Sequence, residues 1–148
     1  MKLWIDTSAL GTAGQAVRAK VGEMKAKVNR QLLSRGTRAV NQLRNAELEV
    51  LRGNGSGRVY RKPGGGTYRA SAPGEVPARR TGNLRLHWTG NVTGGGDNIN
   101  IELESQEFYA DYMENGTPGG MIQPRPFVDK ITQKALPPIK AIFDEPYV

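Results

Sequence analysis

Residues 13–52 read AGQAVRAKVGEMKAKVNRQLLSRGTRAVNQLRNAELEVLR, and their periodicity decides the fold class. Val17, Val21, Met24, Val28, Leu32, Arg35, Ala39, Leu43, Ala46 and Val50 follow one another at steps of three or four. That is the spacing of one face of an α-helix. The steps average 3.67 residues, the 11-residue period of a nearly straight stripe. Arg35 alone interrupts the apolar series, beside Gly36. An interior glycine costs about 1 kcal/mol against alanine, which makes Gly22 and Gly36 the expected kink points. At about 1.5 Å per residue an unbroken helix would run about 60 Å, longer than a domain of this size is wide. Either it splits near Gly36 into two packed helices, or it overhangs the domain and meets a neighbour. Off the stripe lie Arg18, Lys20, Lys25, Lys27, Arg30, Arg38 and Arg44, a face basic enough to touch phosphate or an acidic partner.

Working outward, residues 1–12 read as a short extended start with Trp4 and Ile5 available to dock. Residues 53–96 hold 12 of the 19 glycines, with Pro63, Pro73 and Pro77. Within them, the β-like runs 58–61 (RVYR) and 67–70 (TYRA) flank a Pro63-Gly64-Gly65-Gly66 turn, which predicts a hairpin. Such a hairpin is barely stable alone, so it is expected to be an arm that orders against a partner. Residues 84–88 (LRLHW) alternate, predicting a strand with Leu84, Leu86 and Trp88 inward and Arg85 and His87 outward. After a turn at residues 94–97, Ile99, Ile101 and Leu103 alternate with Asn100, Glu102 and Glu104. Residues 108–114 are a helical turn or a third strand. A last helix opens at Pro126 and shows Phe127, Ile131 and Leu136 at helical spacing; Pro137 and Pro138 stop or offset it, with Ile139, Ile142 and Phe143 available to continue a last turn. The expected fold is α+β, a single domain over residues 1–148. It has a long N-terminal helix at 13–52, a Gly/Pro-rich arm and loop at 53–83, and a β core at 84–125. A C-terminal helix at 126–143 packs on the antiparallel sheet.

The chain has 148 residues, 21 Lys+Arg, 14 Asp+Glu, one histidine and no cysteine, for a formal charge of +7. The missing cysteines exclude disulfides, thiolate catalysis and Cys-based zinc sites. Charge is divided: residues 1–90 carry a balance of +12 and residues 91–148 one of −5. Blocks of opposite sign steer copies of a chain together, or form solvated faces of opposite sign. Leu3, Trp4 and Ile5 are too short an apolar run for a signal peptide, and no stretch is long enough to span a membrane. The expectation is a protein made in the cytoplasm, without a membrane partner. His87 as base and Glu75, Glu102 or Glu114 as acid are the available catalytic groups. No nucleophile triad or phosphate loop accompanies them, so the reading is non-enzymatic, with no catalytic, metal or cofactor residues. Arg58, Arg61, Lys62, Arg69, Arg79, Arg80 and Arg85 interleave with Tyr60, Tyr68 and Trp88. That mixture suits single-strand stacking and phosphate contact, or an arm docking on acidic protein.

The segment 72–85, APGEVPARRTGNLR, resembles the P-x-x-R-T-G-x-L-R signature of head–tail joining proteins of long-tailed DNA bacteriophages. These are the tail-completion or tail-terminator proteins, also described as minor tail or neck components. Residues 109–117 (YADYMENGT) are similar to that family's Y-A-x-Y-x-E-x-G-T, and Met121 with Arg125-Pro126-Phe127 to its M-x-x-R-P-F. The resemblance covers roughly residues 72–128. It implies a structural virion protein of the neck: a homohexameric ring that completes the tail tube, contacting the major tail tube protein and the head connector or stopper. DNA would pass through its lumen with weak, non-specific contact. The alternatives are a head-completion neck protein on the portal side and a basic nucleic-acid-binding module. Arg58, Arg61, Lys62, Arg69, Arg79, Arg80, Arg85 and Glu114 are the expected docking residues, with Glu114 pairing an arginine of the same or a neighbouring subunit. Pro77, Thr81, Gly82, Leu84, Tyr109, Tyr112, Gly116, Pro126 and Phe127 are the expected structural motif residues, with Tyr109 and Tyr112 packing one face of a turn.

Overall fold

A computed structural model describes residues 11–95 and 98–147. Helix α1 (Gly11–Val50) is continuous through both Gly22 and Gly36, so the helix overhangs and does not split. It is followed by β1 (Val59–Arg61), β2 (Thr67–Arg69), α2 (Asn83–Leu86), β3 (Trp88–Gly95), β4 (Asn98–Ser105), α3 (Ala110–Asn115) and α4 (Val128–Asp144). This is an α+β fold with two antiparallel two-stranded sheets, β1–β2 and β3–β4. The expected extended start, with Trp4 and Ile5, and the turn residues Gly96 and Asp97 lie outside the described residues. Residues 11 and 12 already belong to α1.

The core lies along the C-terminal half of α1. Ala46 and Leu51 meet Phe127, Ile131 and Ala135, and Leu43, Val50, Val76, Leu84, Trp88, Met113 and Ile139 close the cluster. Phe127 is 1% exposed, and its ring meets Trp88 edge to face at 6.2 Å. Edge-to-face pairing adds about 0.5–1.5 kcal/mol beyond burial of the rings. Helix α4 runs back along α1, so its main partner is α1, where the expectation placed it on the sheet. It also runs through Pro137 and Pro138 without stopping. The carbonyls that lose a donor belong to the exposed Gln133 and Lys134, where water can replace it.

Arg35, the break in the stripe, holds the far end of this seam. Its guanidinium donates to the carbonyls of Glu145 at 2.5 Å and Pro146 at 2.6 Å, and stacks 3.6 Å from the Tyr147 ring centre. The buried cation satisfies carbonyls that the end of α4 leaves without partners. Arg38 adds a two-point ion pair to Glu145.

The predicted strand at residues 84–88 is the main correction. Residues 83–86 form α2, and β3 begins only at Trp88. Gly82, at φ 94°, turns the chain into that helix. Leu86 then falls on the far side and is 53% exposed. Residues 108–114 contain the helix α3, and no third strand.

The β3–β4 hairpin lies on α1 between Val40 and Asn29, with Gly36 beneath Val92 and Gly95 over Asn29. Gly36 is therefore a contact point, where the sequence suggested a kink: a Cβ there would lie 2.7 Å from Val92 Cγ1. At Gly22 a Cβ would meet nothing within 4 Å. Replacing Gly22 by alanine should strengthen the helix by up to about 1 kcal/mol. Gly36→Ala should lower the thermal midpoint despite the same propensity gain, because the stiff, β-branched Val92 would have to shift from its seat on α1. Thermal unfolding of the two variants separates these effects; equal stabilisation would contradict the hairpin's seat on α1.

Candidate docking interface

The arm β1–β2 pairs Tyr60 with Tyr68, and their rings stack at 5.6 Å. Arg58 lies over Tyr60 at 5.5 Å, and Arg80 over Tyr68 at 5.3 Å. At exposed sites each such contact is worth about 0.5–1 kcal/mol. Arg80 belongs to the Arg79-Arg80-Thr81-Gly82 turn, so this cation–π contact ties arm to turn.

The arm's root is held more firmly. Glu75 accepts hydrogen bonds from the Ser56 N–H at 3.0 Å, the Ala72 N–H at 2.8 Å and the Ser56 hydroxyl. These donors hold its carboxyl well below the usual range, at about 2. The Arg125 guanidinium reaches the Ser71 carbonyl at 3.2 Å, and the Gly74 N–H donates to the Pro124 carbonyl at 3.0 Å. The C-terminal side of the arm is thus fastened to the segment that leads into α4, and its N-terminal side to Glu75.

Between arm, turn and α3 runs a groove of about 610 Å³. Its lining draws on all three sequence motifs: Arg79, Arg80 and Leu84 from the first, Tyr109 and Met113 from the second, Arg125 from the third. Arg58, Arg61, Lys62 and Arg69 are exposed on the adjoining arm. Seven of the expected docking residues are therefore brought to one region, Arg85 among the groove's lining, and Glu114 is not. Arg85 turns inward, its Nε donating to the Leu48 carbonyl at 2.9 Å, and fastens α2 to α1. Glu114 pairs with no arginine; it accepts from the N–H groups of Phe127 at 2.7 Å and Val128 at 3.2 Å. A carboxylate there satisfies the free donors that open α4 and suits the positive end of the helix.

Among the expected motif residues, Pro77, Gly82 and Phe127 are buried, and Leu84, Tyr109, Gly116 and Pro126 are half-buried. The Thr81 hydroxyl accepts from the Asn83 N–H at 3.3 Å, and Gly116 ends α3. Tyr112 is the exception: it is exposed and does not share Tyr109's packed face. His87 is also exposed, and its Nδ1 lies 2.5 Å from Glu107.

Sequence reasoning passed over Glu47. Its side chain is fully buried and paired with Arg44, while one carboxylate oxygen has no partner. Arg44 in turn donates to the carbonyls of Arg85 at 3.2 Å and Leu86 at 3.0 Å. The spacing of Arg44 and Glu47 was the available signal, since three residues apart on a helix are neighbours. Burial pushes the Glu47 carboxyl up to about 7, against the pull of Arg44 and Arg85.

Comparison with protein-family models, curated proteins and solved structures finds no match for this chain.

The two carboxylates respond to pH in opposite senses. The native state holds the Glu47 proton up to about pH 7, while an unfolded chain releases it near 4.5. Stability from this group is therefore full below about 4.5 and falls as pH rises through 7. Urea titrations should show that decline, and Glu47→Gln should flatten it. Glu75 acts the other way: its contribution is present above about pH 4.5 and lost as pH falls towards 2. Amide exchange at Ser56 and Ala72, corrected for its intrinsic pH dependence, should accelerate across that range. Glu75→Gln should show the loosened root already at neutral pH.

Proposed function

We propose that this chain is a structural subunit of a long-tailed DNA phage, forming a ring at the head–tail junction that completes the tail tube and joins it to the head connector. The observation that carries this reading is the convergence of three sequence segments similar to tail-completion proteins. They lie at residues 77–85, 109–117 and 121–127 and meet around one groove beneath a basic, aromatic arm.

Assembly is the mechanism. A closed ring needs two different, complementary patches on each subunit, and the basic first ninety residues and acidic remainder offer opposite charge. The exposed arm, with Arg58, Arg61, Lys62 and Arg69, would engage a neighbouring ring. Any contact with DNA in the lumen would be phosphate-directed and would weaken steeply with salt.

The test is a lysate from a phage carrying a nonsense codon early in this chain, imaged by negative stain. Free heads beside overlong or unfinished tails are the expected outcome. Normal infectious particles would overturn the reading. Heads that have lost their DNA beside finished tails would move the chain to head completion. Tight, sequence-selective duplex binding at physiological salt would replace assembly with nucleic-acid recognition.

A further inference from the structure

The amino-terminal half of α1 has an apolar stripe left exposed among the described residues. Every described residue from Thr12 to Arg30 is exposed. Val17, Val21, Met24 and Val28 remain 41–64% open, although they continue the same stripe that builds the core further along. At about 100° per residue, Lys20 and Lys27 lie along one flank of this stripe and Lys25 along the other. The result is an apolar ridge about 16 Å long, counted at about 1.5 Å per residue, with basic rails.

At the other end of the molecule lies a groove of matching character, about 540 Å³ in volume. Trp88, Leu103, Phe108 and Val128 supply its apolar lining, and Glu104 and Asp111 stand on its rim. Phe108 is 85% exposed, a large cost for an aromatic ring left in water. Glu104 and Asp111 are exposed and form no ion pair among the described residues, and the same holds for Lys20, Lys25 and Lys27.

We infer that the Val17–Val28 ridge of one copy docks in the Trp88–Phe108 groove of the next. The occupant is a second copy of this chain because its charge and shape are the complement of the groove's. It cannot be the same copy. The groove sits beside Phe127, level with Ala46 on α1, and Val28 is about 27 Å further along the same rigid helix at about 1.5 Å per residue. Ridge and groove at opposite ends make the contact heterologous, so each copy offers a free ridge and a free groove until rotation closes a ring. This contact deepens the ring reading above and rests on it for its setting.

The chain has no cysteine, which makes a disulfide test clean. Met24→Cys chains mixed with Phe108→Cys chains and mildly oxidised should give a mixed dimer, and the doubly substituted chain a ladder ending in a closed oligomer. Reversing the rails (Lys20→Glu with Lys27→Glu) or the rim (Glu104→Lys with Asp111→Lys) should weaken self-association at least about tenfold in sedimentation. Combining both reversals in one chain should restore it. All four positions are exposed, so unchanged circular dichroism checks the fold. Cross-linking confined to Met24→Cys pairs, no mixed dimer, or a combined reversal that fails to restore association would overturn the inference. Rings that form without the mixed cross-link would remove this contact and keep the neck assignment. A cross-linked oligomer from a chain whose loss leaves normal particles would do the reverse.

Discussion

The rest of the structure depends on the seam between α1 and α4, and that seam depends on how α4 is held at its two ends. At the start, Phe127 is sunk among Ala46, Leu51 and Trp88, and Glu114 takes up the N–H groups that open the helix. At the finish, Arg35 gathers the last carbonyls and Arg38 grips Glu145. Burying a phenylalanine contributes about 1.5–3 kcal/mol, and buried charge-assisted hydrogen bonds about as much again. Because the anchors lie at opposite ends of α4, the helix has one register on α1. The segments 71–75 and 109–117, which bond to residues just before α4, inherit it.

This division of labour changes what the motif residues mean. Arg85 and Glu114 carry charge yet are spent on internal geometry: one ties α2 to α1, the other opens α4. Arg79 and Arg80 follow a proline and precede a glycine of positive φ, so the backbone is committed while the side chains stay at the groove. Glu47 is buried against Arg44 with an unsatisfied oxygen, and burial raises its carboxyl to about 7.

What was legible in the sequence follows from which signals are unambiguous. The stripe from Val17 to Val50 has ten members, so its period admits only a helix, and the arm's two runs around Gly64-Gly65-Gly66 admit only a hairpin. Residues 84–88 were not decidable by alternation. Leu84 and Trp88 are four apart, and that spacing shares a face in a strand and in a helix alike. Leu86 alone distinguishes the two, and Gly82 with Thr81 had already started a helical turn. Pro137 and Pro138 left open whether the helix stops or continues, because a proline's cost depends on whether the carbonyls it strips face water, which needs the third dimension. The site was half legible: exposed arginines on the arm were visible as a cluster, but whether a charged residue faces inward, as Arg85 and Glu114 do, is set by partners distant in sequence.

The overhang of α1 connects these points. A core needs apolar residues only where α4 and the β3–β4 hairpin reach, and both end near Asn29 to Arg35. Beyond that, valine and methionine at stripe positions cost helix propensity or solubility and return nothing to the isolated chain. Their unbroken spacing, flanked by lysines, is the feature that the docking inferred above would complete. The lysine-flanked ridge and the groove rimmed by Glu104 and Asp111 then lie more than 20 Å apart at about 1.5 Å of rise per residue. A ridge and a groove so placed are satisfied across two copies and not within one, as the docking inferred above requires.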